Sequence, residues 1–224
     1  MRDSNLAGNF ADASRPRVVV TAGPTAEDID PVRYLTNRSS GRMGIAVAEE
    51  VMAAGGTPLL VLGPGTAAPP AGAMVVQARS AENMRDAVVK NLPCADALVM
   101  AAAVADYTPA GTLREKLRKK DGDFFLRLRR TPDILLEVAA SGFRQGRFIC
   151  GFSLDVAQNR GEALRKLREK DLDMIVSNTT DSFGTGEIRA LLLFRDGEAL
   201  DLGVVAKEAL ARVIVDRIRR FGAT

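Results

Sequence analysis

The chain contains no histidine and no tryptophan, and only two cysteines among 224 residues. Losing histidine removes Ser-His-Asp triads, Cys-His nucleophile pairs and His-ligated zinc together, so any chemistry must run on lysine, arginine, asparagine, carboxylates and backbone groups. Cys94 and Cys150 each enter or leave an apolar run and read as structural thiols of a reduced, cytoplasmic protein. No apolar run approaches the ~20 residues of a membrane helix, and residues 1–16 lack the apolar core of a secretory signal, so no membrane partner is expected. Excess charge is also scarce. The balance of 31 basic and 28 acidic residues leaves +3, which implies no nucleic-acid partner.

What is present suits one globular α/β domain: 46% apolar and 26% charged residues over a length that can bury a full core. Residues 1–16 are polar and unpatterned and read as a flexible tail, leaving 17–224 as a single domain. The stretch that organises the rest runs from Thr21 to Gly44. It follows a short β-branched run, Arg17 to Ala22, and precedes a helical pattern over Gly41 to Ala54. A helix start after the first strand of an open α/β sheet offers unpaired N–H groups and a positive dipole end to an anion. Ser39 and Ser40 read as caps, Gly41 and Gly44 permit close backbone approach, and Arg33, Arg38 and Arg42 add positive charge. The spacing is neither a dinucleotide fingerprint nor a P-loop.

Further along, strands are expected over Thr57–Leu62, Ala73–Ala78, Ala95–Ala101, Arg147–Phe152 and Met174–Ser177. Helices are expected from Ser80 to about Leu92, from Pro132 to near Gly142, over Gly161–Lys170 and over Lys207–Phe221. Asp121-Gly122 inside Lys116–Arg129, and Asp196-Gly197, mark two β-hairpins. The alternation predicts a doubly wound, mostly parallel sheet with helices on both faces and two hairpin insertions.

Several motifs in register resemble one family. Thr21-Ala22-Gly23-Pro24-Thr25, Asp30-Pro31-Val32-Arg33-Tyr34, Asn37 to Gly44, Ala102 to Tyr107, Glu115 to Lys120, Pro132-Asp133-Ile134, Gly151-Phe152 and Lys170 to Asp173 are similar, in order, to bacterial phosphopantothenoylcysteine synthetase. The resemblance implies a Rossmann-like fold and CTP-dependent ligation of 4′-phosphopantothenate and cysteine through an acyl-cytidylate, in coenzyme A biosynthesis. It assigns catalytic roles to Asn37 and to Lys116 on a mobile flap, and substrate contacts to Arg33, Asn37 and Ala102. Nucleotide contacts fall on Ala101, Ala102, Asp106, Lys116, Pro132, Asp133, Ile134, Leu135, Phe152, Lys166 and Lys170, with Ser39, Ser40 and Gly41 at the anion-binding helix start.

No protein-held metal cluster is expected; magnesium would come with CTP, with Asp106 as a residue able to help hold it. The resemblance also implies a homodimer, for which Phe124 and Leu126 would want a partner surface, and in many bacteria a fused phosphopantothenoylcysteine decarboxylase, of which these residues contain no part. The tail then reads as either a natural start or a linker remnant. Three departures stand out: Ala26 where arginine is common, Arg42 for the usual lysine, and Ser153-Leu154-Asp155 for Ala-Ala-Glu. Alternatives from other classes are an NAD(P)- or flavin-dependent oxidoreductase and a non-catalytic nucleotide-binding module.

Overall fold

The computed structural model describes residues 15–119, 122–182 and 185–223. In chain order it begins with β1 (Arg17–Ala22), β2 (Ala26–Asp28), β3 (Tyr34–Thr36), α1 (Arg42–Ala53), β4 (Thr57–Leu62), β5 (Met74–Gln77), α2 (Ala81–Asn91) and β6 (Ala97–Met100). It continues with β7 (Tyr107–Pro109), β8 (Leu128–Arg130), α3 (Ile134–Ala140), β9 (Phe148–Asp155), α4 (Arg160–Glu169), β10 (Met174–Thr179), β11 (Glu187–Phe194), β12 (Ala199–Ala206) and α5 (Lys207–Phe221).

The main sheet has the order β12-β11-β10-β9-β6-β1-β4-β5. From β5 to β10 every neighbouring pair is parallel, and β11 runs antiparallel to both β10 and β12. Successive residues of β1 face opposite sides of the sheet. Val18, Val20 and Ala22 therefore join the layer under α1 and α5, while Val19 joins the layer under α2, α3 and α4. This is the expected doubly wound, mostly parallel α/β architecture.

Local chemistry explains the boundaries. Ser80 and Asn83 close a capping box at the start of α2 (3.2 and 3.3 Å), with Glu82 in its first turn and Lys90 in its last. Along α5, Leu210, Ala211, Ile214, Val215 and Ile218 form one buried stripe at helical spacing. Gly44 is required because a Cβ there would lie 2.5 Å from the Ala22 Cβ and 2.7 Å from the Thr21 carbonyl oxygen, so α1 rests directly on β1.

Four expectations need correction. The Asp196-Gly197 hairpin is no insertion, since β11 and β12 extend the main sheet. The first hairpin is smaller at its base and longer overall than its sequence suggests: β7 pairs with β8, and no strand lies in 110–119 or 122–127, Asp121 being outside the described residues. Its first arm cannot pair with the second because its backbone is engaged elsewhere, as described below. The third helix begins after Asp133, whose carboxylate accepts from the Leu136 N–H at 3.2 Å, so Pro132 precedes the cap. Most of the expected tail, residues 1–14, lies outside the described residues, but Pro16 is buried and its carbonyl accepts from the Thr57 N–H at 2.9 Å, so the folded body includes it.

Candidate active site

The strand order reverses between β1 and β6, so the loops leaving their carboxyl ends diverge and open a crevice, the usual ligand site of such sheets. The loop after β1 does more than turn. It folds into the hairpin β2–β3, whose Asp30 at the tip accepts from the Val32 and Arg33 N–H groups, both at 2.8 Å. The Asp-Pro pair was the sequence signal for this turn.

Buried hydroxyls then stitch this loop to the one after β6. Thr21 accepts from the Ala102 N–H (3.1 Å), Thr25 accepts from the Ala105 N–H (3.0 Å), and the Ala103 N–H donates to the Gly23 carbonyl (2.9 Å). The Glu27 carboxylate, also buried, accepts from the Ala81 N–H at 2.8 Å and so docks the hairpin on the positive start of α2.

A cleft of about 950 Å³ lies over these carboxyl ends. Its wall includes Asn37, Ala102, Asp106, Pro132 to Leu135, Phe152, Lys166 and Lys170 from the expected set. Asn37 donates from Nδ2 to the carbonyls of both Ala103 and Val104 at 3.1 Å, which fixes the orientation of its amide and joins the two loops. Lys170 pairs with Asp133 at 2.8 Å, and Lys166 donates to the Ser153 hydroxyl at 3.2 Å. The Glu162 carboxylate lies 3.7 Å from Lys166 and is pulled down to about 2 chiefly by its hydrogen bonds from Arg165.

Arg38 and Arg130 also line the cleft. Arg130 was missed because it lies one residue past the expected hairpin arm, which ends at Arg129, whereas the structure extends that arm through Arg130; its place just before Thr131-Pro132 was the available signal. The wall thus carries four cations, Arg38, Arg130, Lys166 and Lys170, against Asp106 and Asp133, and suits an anionic ligand.

Other expected residues are elsewhere. Ala101 packs into the layer under α1 and α5. Ser39, Ser40 and Gly41 are outside the cleft wall, and neither serine caps α1: Gly41 is the N-cap in the left-handed region at φ 85°, and the serine hydroxyls accept from the Gly41 and Arg42 N–H groups instead. Lys116 is exposed and also outside the wall. Its segment lies along the hairpin β2–β3, where the Leu113 N–H donates to the Ile29 carbonyl (2.9 Å) and the Leu117 N–H to Asp30 (3.0 Å). Arg33 donates from Nη2 to the Leu117 carbonyl at 2.8 Å, with its Nε 3.9 Å from Asp30.

Comparison with known proteins places the chain. Residues 13–221 match the family described as the DNA/pantothenate metabolism flavoprotein C-terminal domain. The chain belongs to this family. It is 36% identical over 206 residues to the coenzyme A biosynthesis bifunctional protein CoaBC of Bacillus subtilis (strain 168), covering 90% of this chain and 50% of that protein. It is 42% identical over 171 residues to a cysteine/cysteine sulfinic acid decarboxylase of an unknown prokaryotic organism, covering 76% of this chain and 47% of that protein. The crystal structure of the C-terminal domain of a CoaBC protein superposes with a TM-score of 0.79 at 34% identity, over 94% of this chain and 97% of that one. The chain spans about half the length of the curated relatives it matches.

Two of the departures gain a physical reading within the DNA/pantothenate metabolism flavoprotein C-terminal domain family. Ser153 is buried and supplies the hydroxyl that receives Lys166, a contact alanine could not make. Ala26 is buried in the hairpin, with its N–H on the Arg79 carbonyl at 2.8 Å, a position where a charged side chain would need a partner to stay buried and alanine needs none. In the Lys170–Asp173 motif the work is divided: Lys170 faces the cleft, whereas buried Asp173 accepts from Arg144 and from the Ile149 N–H, both at 2.7 Å.

Among the described residues no group of three or more Cys, Asp or Glu side chains is arranged to hold a metal ion. None of the described helices is long and apolar enough to cross a membrane.

Proposed function

We propose that this chain joins 4′-phosphopantothenate to cysteine at the expense of CTP, by way of an acyl-cytidylate. One observation carries the reading: the cleft at the β1/β6 reversal gathers Asn37, Asp106, the Asp133–Lys170 pair, Phe152 and Lys166 from five separate stretches of chain into about 950 Å³. Membership of the family whose relatives include coenzyme A biosynthesis proteins supports it.

A carboxylate resists amines until its oxygen is made a leaving group. In the first step the phosphopantothenate carboxylate attacks the α-phosphorus of CTP and pyrophosphate departs. In the second the cysteine amine attacks the acyl carbon, CMP departs and the amine gives up a proton. Both steps build negative charge on oxygen, where fixed cations and donors are most effective. Lys166 and Lys170 supply charge along the polyphosphate, Phe152 offers a ring to the base, and Asn37 releases one of its two backbone carbonyls to donate to the acyl oxygen. Lys116 reaches the α-phosphate when its arm closes, excluding water from the mixed anhydride.

Magnesium fits as a nucleotide-borne ion, since it needs only one or two protein carboxylates, and exposed Asp106 is the cleft acid without a lysine pair. When bound it would neutralise phosphate charge. A second copy of the chain would cover Phe124 and Phe125, 59% and 89% exposed on the arm, more than the expected Leu126, which is already half-buried, and make the homodimer. A phosphopantothenoylcysteine decarboxylase, fused or associated, would supply the next reaction.

Pyrophosphate release, amide formation and carbon dioxide release should be measured with CTP, ATP and UTP, with and without phosphopantothenate and cysteine. The expected result is pyrophosphate release that depends on phosphopantothenate, amide that depends also on cysteine, and turnover falling about a hundredfold in Lys116→Gln at near-constant KM for CTP. Decarboxylation of cysteine without nucleotide, nicotinamide or flavin turnover, or nucleotide binding without pyrophosphate, would replace the ligase reading.

A further inference from the structure

Asp30 divides its two oxygens between two tasks. Oδ1 serves its own turn by accepting from the Val32 and Arg33 N–H groups at 2.8 Å, whereas Oδ2 reaches across 87 residues of sequence to accept from the Leu117 N–H at 3.0 Å. From the same turn, Arg33 Nη2 donates to the Leu117 carbonyl at 2.8 Å. One residue is therefore held at both its N–H and its C=O by two side chains only three positions apart.

A carboxylate that only stabilised the turn would need Oδ1 alone. Buried at 2% exposure, Asp30 gives its second oxygen's hydrogen bond to the arm, with Arg33 Nε the more distant neighbour of that oxygen at 3.9 Å. Upstream the same arm is fixed again, by the Leu113 N–H on the Ile29 carbonyl (2.9 Å) and the Thr112 hydroxyl on the Asp28 carbonyl (3.2 Å). Between these anchors lie only Arg114, Glu115 and Lys116, with Lys116 immediately before the gripped residue.

We propose that Asp30 and Arg33 form a two-point clamp on Leu117 that positions the Lys116 arm, so that Lys116 swings about a fixed root rather than diffusing with a free loop. Asp30 is then a positioning residue. The catalytic consequence rests on the ligase reading above, whereas the clamp itself is tested without activity.

Trypsin cleavage after Lys116 breaks the peptide whose N–H Asp30 holds, and cleavage after Lys119, beyond the clamp, is an internal reference. Asp30→Asn and Arg33→Gln should each raise the ratio of cleavage after Lys116 to that after Lys119 about tenfold at unchanged melting temperature, the effect of losing one charge-assisted hydrogen bond from a local opening equilibrium. Both should lower kcat for pyrophosphate release about tenfold while KM for CTP stays within about twofold, a split that general destabilisation would not produce.

If Asp30→Asn does not fold, exposed Arg33→Gln decides alone: a lower kcat at unchanged KM for phosphopantothenate supports the positioning role, and a raised KM for phosphopantothenate with unchanged kcat, the mark of the substrate contact the resemblance assigns to Arg33, overturns it. An unchanged cleavage ratio in the folded variants overturns the clamp, and a raised ratio with unchanged kcat overturns its positioning role. If the wild-type chain releases no pyrophosphate with any nucleotide, the ligase reading fails and the cleavage ratio still judges the clamp.

Discussion

Asn37 shows how one side chain can serve structure and chemistry together. Its amide nitrogen joins the loops after β1 and β6 by donating to two carbonyls, so a carboxylate in its place loses both donors and meets two acceptors. Asn37→Asp is expected to keep forming the acyl-cytidylate, read as pyrophosphate release, and to lose amide formation by about 10²- to 10³-fold, the scale of a missing transition-state donor. Equal loss of both half-reactions would reduce Asn37 to a loop brace. Cys150 illustrates the opposite case. It is wholly buried in β9, where desolvation first and the Asp173 charge second push its thiol well above the ordinary range, so it is a core residue without thiolate chemistry.

Among the elements, the hairpin β2–β3 was the least legible in the sequence and matters most to the site. Its strands are three residues each, too short for periodicity to register, and its stability comes from Asp30, Glu27 and the Asp28–Arg79 pair (2.6 Å) rather than from apolar alternation. The Leu117 N–H, more than the other donors and Arg33, holds the Asp30 carboxyl below its ordinary value of 3.8. Because this pKa is depressed in the folded chain, the clamp is complete above pH 3.8 and is lost as pH falls through the lower folded value. The amide proton of Leu117, followed by NMR, should therefore titrate with an inflection below 3.8; an inflection at or above it would mean the N–H is held by something else. By contrast, α2 and α5 were plain in the sequence, since a capping serine and an apolar stripe act locally.

At the scale of the molecule, α1 and α5 pack side by side over one face of the sheet, and Ile214 is fully buried there. Ile214→Ala should cost about 2–5 kcal/mol, read as a lower urea midpoint at unchanged slope, while leaving the cleft, whose wall does not include it, able to bind. Near-normal stability would mean the layer can collapse around the gap.

The sequence alone determined the longer strands and the helices, the sense of the sheet from their alternation, and which residues to watch, because periodicity, caps and motif register are written in near neighbours, whereas the three-residue strands β2, β3 and β7 left no such pattern. The tertiary structure decided which of those residues share a cleft, that Ser39, Ser40 and Gly41 lie outside its wall, and that the Lys116 arm is rooted on Asp30 and Arg33 instead of pairing with its own second arm. The reason is physical. An N–H or a carboxylate takes whichever partner folding brings within 3 Å, and that partner, 87 positions away in the case of Leu117, leaves no mark on the local pattern.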